Sequence, residues 1–285
     1  MRLSFYTYSY TDKLKMPVRD CLARIAKTGY AGIDVSGTNG PSDDPRSFDK
    51  DLRTLTRRTA DDLKLKIEAV ITHAQLADSL GDPQKRPLDL NGSVDLAVEL
   101  GAPVVTFHMG GYREGSSRVE QWKRVVAAIR SAADYGAARH VRLAVDGIWP
   151  VWVDSSPDEL ARMFDAVDSP NFGVNLDPSY LTLMEVDPVA FTRRFPQRIF
   201  HAHLKDHKLH GYESQNGVKY PKWTHLMPGK GEMDYARVFK ALGEIKFTGA
   251  AAVECFTDMK FEEACDGGYR DMVAAARKGG ATFER

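Results

Sequence analysis

Six positions that could do chemistry follow one another along the chain, each directly behind a short apolar or β-branched run. They are His73 behind Ile71-Thr72, His108 ahead of Met109-Gly110-Gly111, and Asp146 behind Leu143-Ala144-Val145. Then come Asp177, the cluster His201-Ala202-His203-Leu204-Lys205-Asp206, and Glu254 behind Ala250-Ala251-Ala252-Val253. Histidine and carboxylate donors of this kind suit Mn2+, Mg2+, Co2+ or Zn2+, and the same groups do general acid–base work. Taken singly, each has a plain structural role. A histidine on a rim makes a hydrogen bond, and an aspartate such as Asp177, before Pro178, caps a helix. Glu254 resists that reading, because a carboxylate leaving a run of Ala and Val is costly to bury unless paired or metal-bound. Asp146 has the same character, and the succession as a whole points to a site.

Such residues need a frame that brings distant segments together. Strand candidates fall at 3–6, 32–35, 66–71, 104–107, 142–145, 173–176, 199–204 and 250–253. Helical periodicity runs near 17–28, 51–64, 88–100, 118–135, 157–167, 187–195, 234–243 and 262–278. Ser156-Pro157-Asp158-Glu159 and Asp187-Pro188 read as helix starts, and Gly29 and Gly101 as left-handed helix ends. Eight β-then-α units without a composition break predict one α/β domain over residues 1–285, a single (β/α)8 TIM barrel. The rival, a doubly wound open sheet, calls for a Gly-rich turn after the first strand, and Tyr6-Thr7-Tyr8-Ser9-Tyr10 has no glycine. In a barrel the strand ends form the catalytic mouth. From Asp206 to Met233 no element is evident, yet the stretch holds His207, His210, Tyr212, Tyr220, Trp223 and His225. It reads as a long loop between the seventh strand and seventh helix, folded over the mouth.

Composition narrows the function classes. Lys+Arg and Asp+Glu are both 39 in 285 residues, so no positive field marks a nucleic-acid partner. No apolar run approaches the roughly 20 residues of a membrane span. Cys21, Cys255 and Cys265 have no metal-ligand spacing and read as reduced thiols. With no signal-peptide core behind Met1, the expected location is the cytoplasm.

Four stretches together carry a resemblance: Asp177-Pro-Ser-Tyr180, His201-Ala-His203-Leu-Lys205-Asp206, Pro228-Gly-Lys-Gly231-Glu-Met-Asp-Tyr235 and Ala252-Val-Glu254. In this order they resemble the xylose-isomerase-like TIM-barrel superfamily, which includes sugar and sugar-phosphate isomerases and epimerases, inosose dehydratases and endonuclease IV. The resemblance implies one divalent metal, Mn2+ ahead of Mg2+, Co2+ or Zn2+, held by Asp146, Asp177, His203 and Glu254. It also implies self-association as a dimer or tetramer. Two departures stand out. The family's strand-five glutamate is here the shorter Asp146, and the Asp-x-x-His of strand six is Asp177-Pro178-Ser179-Tyr180. Tyr180 and Trp223 take two positions where endonuclease IV needs zinc ligands, although His73, His108 and His225 remain, and a nuclease is disfavoured.

The expected activity is that of a metal-dependent sugar isomerase or epimerase. It abstracts a proton alpha to a carbonyl through a metal-stabilised enediolate. Glu254 is the expected base, Asp146 the second, and His108 a proton carrier. His73, Lys205, Tyr180, Trp149, Trp223 and His225 are expected to contact substrate. Lys205 is read either as an oxyanion partner or as the ion-pair partner of Asp206. The alternative is a lyase, a dehydratase or keto-glycoside β-eliminating enzyme, on the same barrel. A non-catalytic sugar-binding barrel is the third reading. Pro228-Gly-Lys-Gly231 lacks the context of a phosphate loop, so a small unphosphorylated sugar or keto-sugar is expected.

Overall fold

The computed structural model describes residues 1–37, 48–81, 89–111, 117–146, 156–215, 218–256 and 258–284. Among them, β1 (Arg2–Tyr6) is followed by a π-helical turn (Ser9–Lys13) and α1 (Val18–Thr28). Next come β2 (Gly32–Ser36), α2 (Lys50–Asp62), β3 (Lys66–Gln75), α3 (Leu76–Gly81) and α4 (Leu90–Leu100). The middle of the chain holds β4 (Val104–His108), α5 (Arg118–Ala137), β5 (Arg142–Asp146) and α6 (Pro157–Val167). It continues with β6 (Phe172–Leu176), α7 (Pro178–Leu183), α8 (Pro188–Arg194) and β7 (Ile199–Leu204). A hairpin of β8 (Asp206–Gln215) and β9 (Val218–Leu226) precedes α9 (Tyr235–Glu244), β10 (Ala250–Val253) and α10 (Phe261–Lys278). Strands β1–β7 and β10 pair in parallel in the order β1-β10-β7-β6-β5-β4-β3-β2, which closes on itself as a (β/α)8 barrel.

Local chemistry sets the boundaries. Ser156 Oγ accepts from Glu159 N at 3.2 Å, with Pro157 at the first helical position. Asp187 accepts from Val189 N ahead of Pro188. Gly29 (φ 113°) and Gly101 (φ 74°) end α1 and α4 in the left-handed region. Strand alternation then sorts side chains into two layers. Leu3, Phe5, Ile33, Val35, Val105, Phe107, Leu143, Val145, Val174 and Leu204 face outward and share a core with helical residues such as Leu22, Ile25, Val125 and Leu242. Tyr6, Ala69, Ile71, Val104, Ala144, Phe200 and Ala252 form a separate cluster drawn only from strands, which fills the barrel interior. At the N-terminal floor, Arg2 and Glu68 make a two-pronged ion pair at 2.5 and 2.8 Å, and Arg142 lies 4.6 Å from the Phe200 ring centroid. Among the described residues no helix is long and apolar enough to cross a membrane.

The stretch after β7, expected to lack regular structure, is instead the antiparallel β8–β9 hairpin, paired from Asp206↔Leu226 to Gln215↔Val218. Both strands carry polar residues on each face, so the apolar alternation that marks a half-buried strand is weak. A hairpin signal was nevertheless present in the sequence, the Asn216-Gly217 pair between them. The hairpin's base is fixed by Asp206. Its carboxylate accepts from the backbone N–H groups of His207, Gly229, Gly231 and Met233 at 2.9–3.1 Å. A Cβ on Gly231 would sit 2.3 Å from Asp206 Oδ1, so only glycine fits there.

Candidate metal and catalytic centre

At the C-terminal ends of the strands the barrel interior turns polar. His203 on β7 is buried (1 % exposed) and ringed by acids. Its Nδ1 stands 3.2 Å from Glu254 Oε2 and 3.7 Å from Asp146 Oδ2, and its Nε2 stands 3.6 Å from Asp34 Oδ2. Neither ring nitrogen makes an aligned hydrogen bond. Buried polar atoms are normally satisfied, so this histidine is placed as a ligand would be. Two donors around one ion, each about 2.0–2.2 Å from it, lie roughly 3 Å apart. The Glu254–His203 spacing of 3.2 Å is close to that and the Asp146–His203 spacing of 3.7 Å is wider. These donors suit a divalent cation in chemistry, while Asp146 would have to draw in. Among the described residues, the ligand atoms that already lie within 4.8 Å of one another are those of Asp34, His201 and His203.

Asp177, placed just beyond β6, does two things at once. Its Oδ1 accepts from Tyr180 N at 3.0 Å as the cap of α7, while its Oδ2 pairs with Lys205 Nζ at 2.7 Å. Lys205 Nζ also lies 3.1 Å from Glu254 Oε2 and 3.8 Å from the Tyr180 ring centroid. The ammonium thus bridges Asp177 and Glu254. It does not pair with Asp206, whose oxygens are taken by backbone donors, and that alternative from the sequence is corrected. Asp34, Asp146, Asp177 and Glu254 face one lysine and the histidines, an excess of negative charge that a divalent cation would offset.

Burial raises the Asp177 carboxyl to about 6, with Lys205 opposing and Glu254 and Asp146 adding to the rise. Burial also pushes Glu254 upward, but Lys205 and His203 outweigh it and hold that carboxyl well below the usual range. For His203, burial disfavours charge, yet Asp146, Asp34 and Glu254 lift the imidazole well above its ordinary value. Glu254 is 15 % exposed against 3 % for Asp146 and 0 % for Asp177. Among these three acids it has the most solvent access. Asp146 is further held by Asn175 Nδ2, which donates to its Oδ1 at 2.7 Å.

Two aromatic walls flank this centre. Tyr6 stacks on His203 at 5.6 Å and hydrogen-bonds His73 Nε2 at 2.8 Å, Tyr8 packs on His73 at 4.1 Å, and His73 stacks toward His108 at 6.2 Å. His108 Nε2 stands 3.9 Å from Asp146 Oδ2. Across the mouth, His225 of β9 stacks on Phe256 at 3.9 Å and accepts from Trp223 Nε1 at 3.1 Å. Burial, followed by His108 and Lys205 respectively, pushes His73 and His225 down to about 4. The structure therefore groups Asp146, Asp177, His203, Lys205, Tyr180 and Glu254, with His73 and His108 on one wall and Trp223 and His225 on the other. Trp149 lies outside the described residues. Sequence reasoning missed Asp34, Tyr6 and Tyr8. A carboxylate inside the otherwise apolar Gly32-Ile33-Asp34-Val35 was the available signal.

A closed parallel barrel with an acidic, histidine-bearing mouth defines an α/β-barrel class. Residues 22–278 match the family described as Xylose isomerase-like TIM barrel, and the chain belongs to that family. It is similar to an inosose dehydratase of Geobacillus thermodenitrificans, 23% identical over 260 residues that cover 84% of this chain and 82% of that protein. The chain spans about half the length of most other inosose dehydratases it matches. Among solved structures, a xylose isomerase domain protein of Alicyclobacillus acidocaldarius superposes with TM-score 0.76 at 16% identity, covering 99% of this chain and all of that one. An L-ribulose 3-epimerase superposes with TM-score 0.75 at 17% identity, covering 98% and 95%.

Proposed function

We propose that the chain is a divalent-metal-dependent enzyme that removes a proton alpha to the carbonyl of a small, unphosphorylated sugar or keto-sugar, with Glu254 as the base. Asp146, Asp177, His203 and Glu254 would hold the metal, Mn2+ by preference, since three carboxylates and one imidazole form a mostly hard donor set. When bound there, a divalent cation polarises a carbonyl and offsets charge that develops on its oxygen. The observation that carries the assignment is the exposure of Glu254 beside the buried Lys205 ammonium. Lys205 keeps Glu254 ionised and ready to accept a proton. As charge develops on the substrate oxygen, the ammonium can turn toward it, which frees Glu254 to become a stronger base. The Tyr6–Tyr8–His73 and Trp223–His225–Phe256 walls offer faces on which a sugar ring can stack. A phosphate would meet four carboxylates and, among the described residues at the centre, a lysine already paired twice, which supports an unphosphorylated substrate.

The acids are unequal. Asp146 is short, buried and tied to Asn175, so a symmetric pair of bases, as two-sided epimerisation needs, is poorly served. One-base isomerisation, moving a proton between adjacent carbons, suits the geometry better. Elimination is the second reading. It is supported by Lys205, a proton donor next to the base, and by the likeness to inosose dehydratases.

The test is deuterium incorporation from D2O, followed by NMR, over ketoses, keto-glycosides and inososes with Mn2+ present. The expected result is label at a carbon next to a carbonyl, absent in Glu254→Gln. Products of unchanged mass mark isomerisation, and loss of water or an aglycone marks elimination. No incorporation by protein shown to be metal-loaded would sink the proposal.

A further inference from the structure

Asp34 lies within β2, fully buried, and the scheme above gives it no part. Its Oδ2 is 2.6 Å from His201 Nε2, and its Oδ1 accepts from Ser4 Oγ at 3.3 Å. These two contacts fix the carboxylate in place. From there Oδ2 lies 3.6 Å from His203 Nε2, while Glu254 and Asp146 face Nδ1 of the same ring. His203 is thus presented with one nitrogen toward the proposed cation ligands and the other toward a carboxylate outside that set.

Resting on the metal site proposed above, we propose that Asp34 is a positioning residue that keeps a proton on His203 Nε2, so that Nδ1 is the nitrogen offered to the cation. An imidazole can give Nδ1 to a metal only when that nitrogen is bare, and the ring's remaining proton then sits on Nε2. A fixed anion facing Nε2 favours an N–H there over a lone pair. A carboxylate behind a metal-bound histidine orients the ring and strengthens it as a ligand. Asp34, His201 and His203 also bring ligand atoms within 4.8 Å of one another, which would permit an ion among them. The 2.6 Å Asp34–His201 contact, however, is shorter than the roughly 3 Å between two donors on one ion. Ser4 occupies the other oxygen, so the geometry assigns Asp34 to orientation.

The experiment is calorimetric titration of metal-free protein with Zn2+ for wild type, Asp34→Asn and His201→Gln, with 15N NMR of histidine-labelled, Zn2+-loaded protein. Wild type should bind one ion, with His203 coordinated through Nδ1 and protonated at Nε2. Asp34→Asn should still bind one ion, about 10–100-fold more weakly. His201→Gln keeps a donor to Asp34 and should stay near wild type. Equal affinity in wild type and Asp34→Asn would overturn the role of Asp34 alone. Coordination through Nε2, or a loss in His201→Gln as large as in Asp34→Asn, would place the ion in the deeper cluster and overturn it as well. Wild type that binds no Zn2+ would overturn the metal site itself. Should Asp34→Asn not fold, Asp34→Ser takes its place, with the same expected loss and with unchanged affinity again overturning the role of Asp34.

Discussion

The two ends of the barrel solve the burial of charge in opposite ways. At the floor, Arg2 and Glu68 satisfy each other through two hydrogen bonds, and Arg142 rests on Phe200. At the mouth, the same inward alternation delivers four acids, His201, His203 and one lysine, and the match is incomplete. Neither His203 nitrogen nor Asn175 Oδ1 has a hydrogen-bond partner. A polar group buried without a partner costs about 1–3 kcal/mol, so the mouth gives up stability that the floor does not. That difference separates the end that holds the fold from the end with capacity for a ligand.

The contrast can be broken at four points. Glu254→Gln should leave the fold intact and lower turnover by about 10²–10⁴-fold, the range for loss of a general base. Steady-state rates with metal present check this, and near-normal turnover would remove Glu254 from the chemistry. Lys205→Met leaves Asp177 and Glu254 without their shared counter-charge. Metal-free protein should lose about 3–5 kcal/mol in urea unfolding, and a loss below about 1 kcal/mol would show that the ammonium is not offsetting the repulsion between the two acids. At the floor, Glu68→Ala should cost a smaller ~1–3 kcal/mol while turnover stays unchanged. A fall in turnover there would erase the division of labour.

The smallest effect is a pH slope. His225 is held near 4 by burial and by Lys205, and unfolded it titrates near 6.5. Its neutral form belongs to the fold, so its contribution is complete above about pH 6.5 and is lost as pH falls toward about 4. Asp177, raised to about 6, pulls the other way but does so equally in wild type and variant. His225→Phe should therefore show a smaller fall in Tm between about pH 7 and pH 4.5 than wild type. An identical slope would contradict the burial of a neutral imidazole against Phe256.

The barrel was legible because its eight strands are short apolar runs separated by stretches of helical periodicity, with Ser156-Pro157 and Asp187-Pro188 marking two helix starts plainly. The positions of Asp146, Asp177, His203 and Glu254 were legible because the ends of such runs become the mouth. The hairpin was missed because its strands are polar on both faces. Asp34 was missed because its partners, His201 and Ser4, are 167 and 30 residues away, and only barrel closure makes them neighbours. The partner of Lys205 could not be chosen from sequence either. Adjacent in sequence, Asp206 looked available until the loop's backbone donors were seen to occupy it.

The most direct test of the proposed cation site at the mouth is anomalous diffraction from Mn2+-soaked crystals of the wild-type protein. One Mn2+ within about 2.0–2.3 Å of donor atoms from Asp146, Asp177, His203 and Glu254, with Lys205 displaced from between Asp177 and Glu254, is the predicted result. An ion among Asp34, His201 and His203, or none at full soak concentration, would contradict the account.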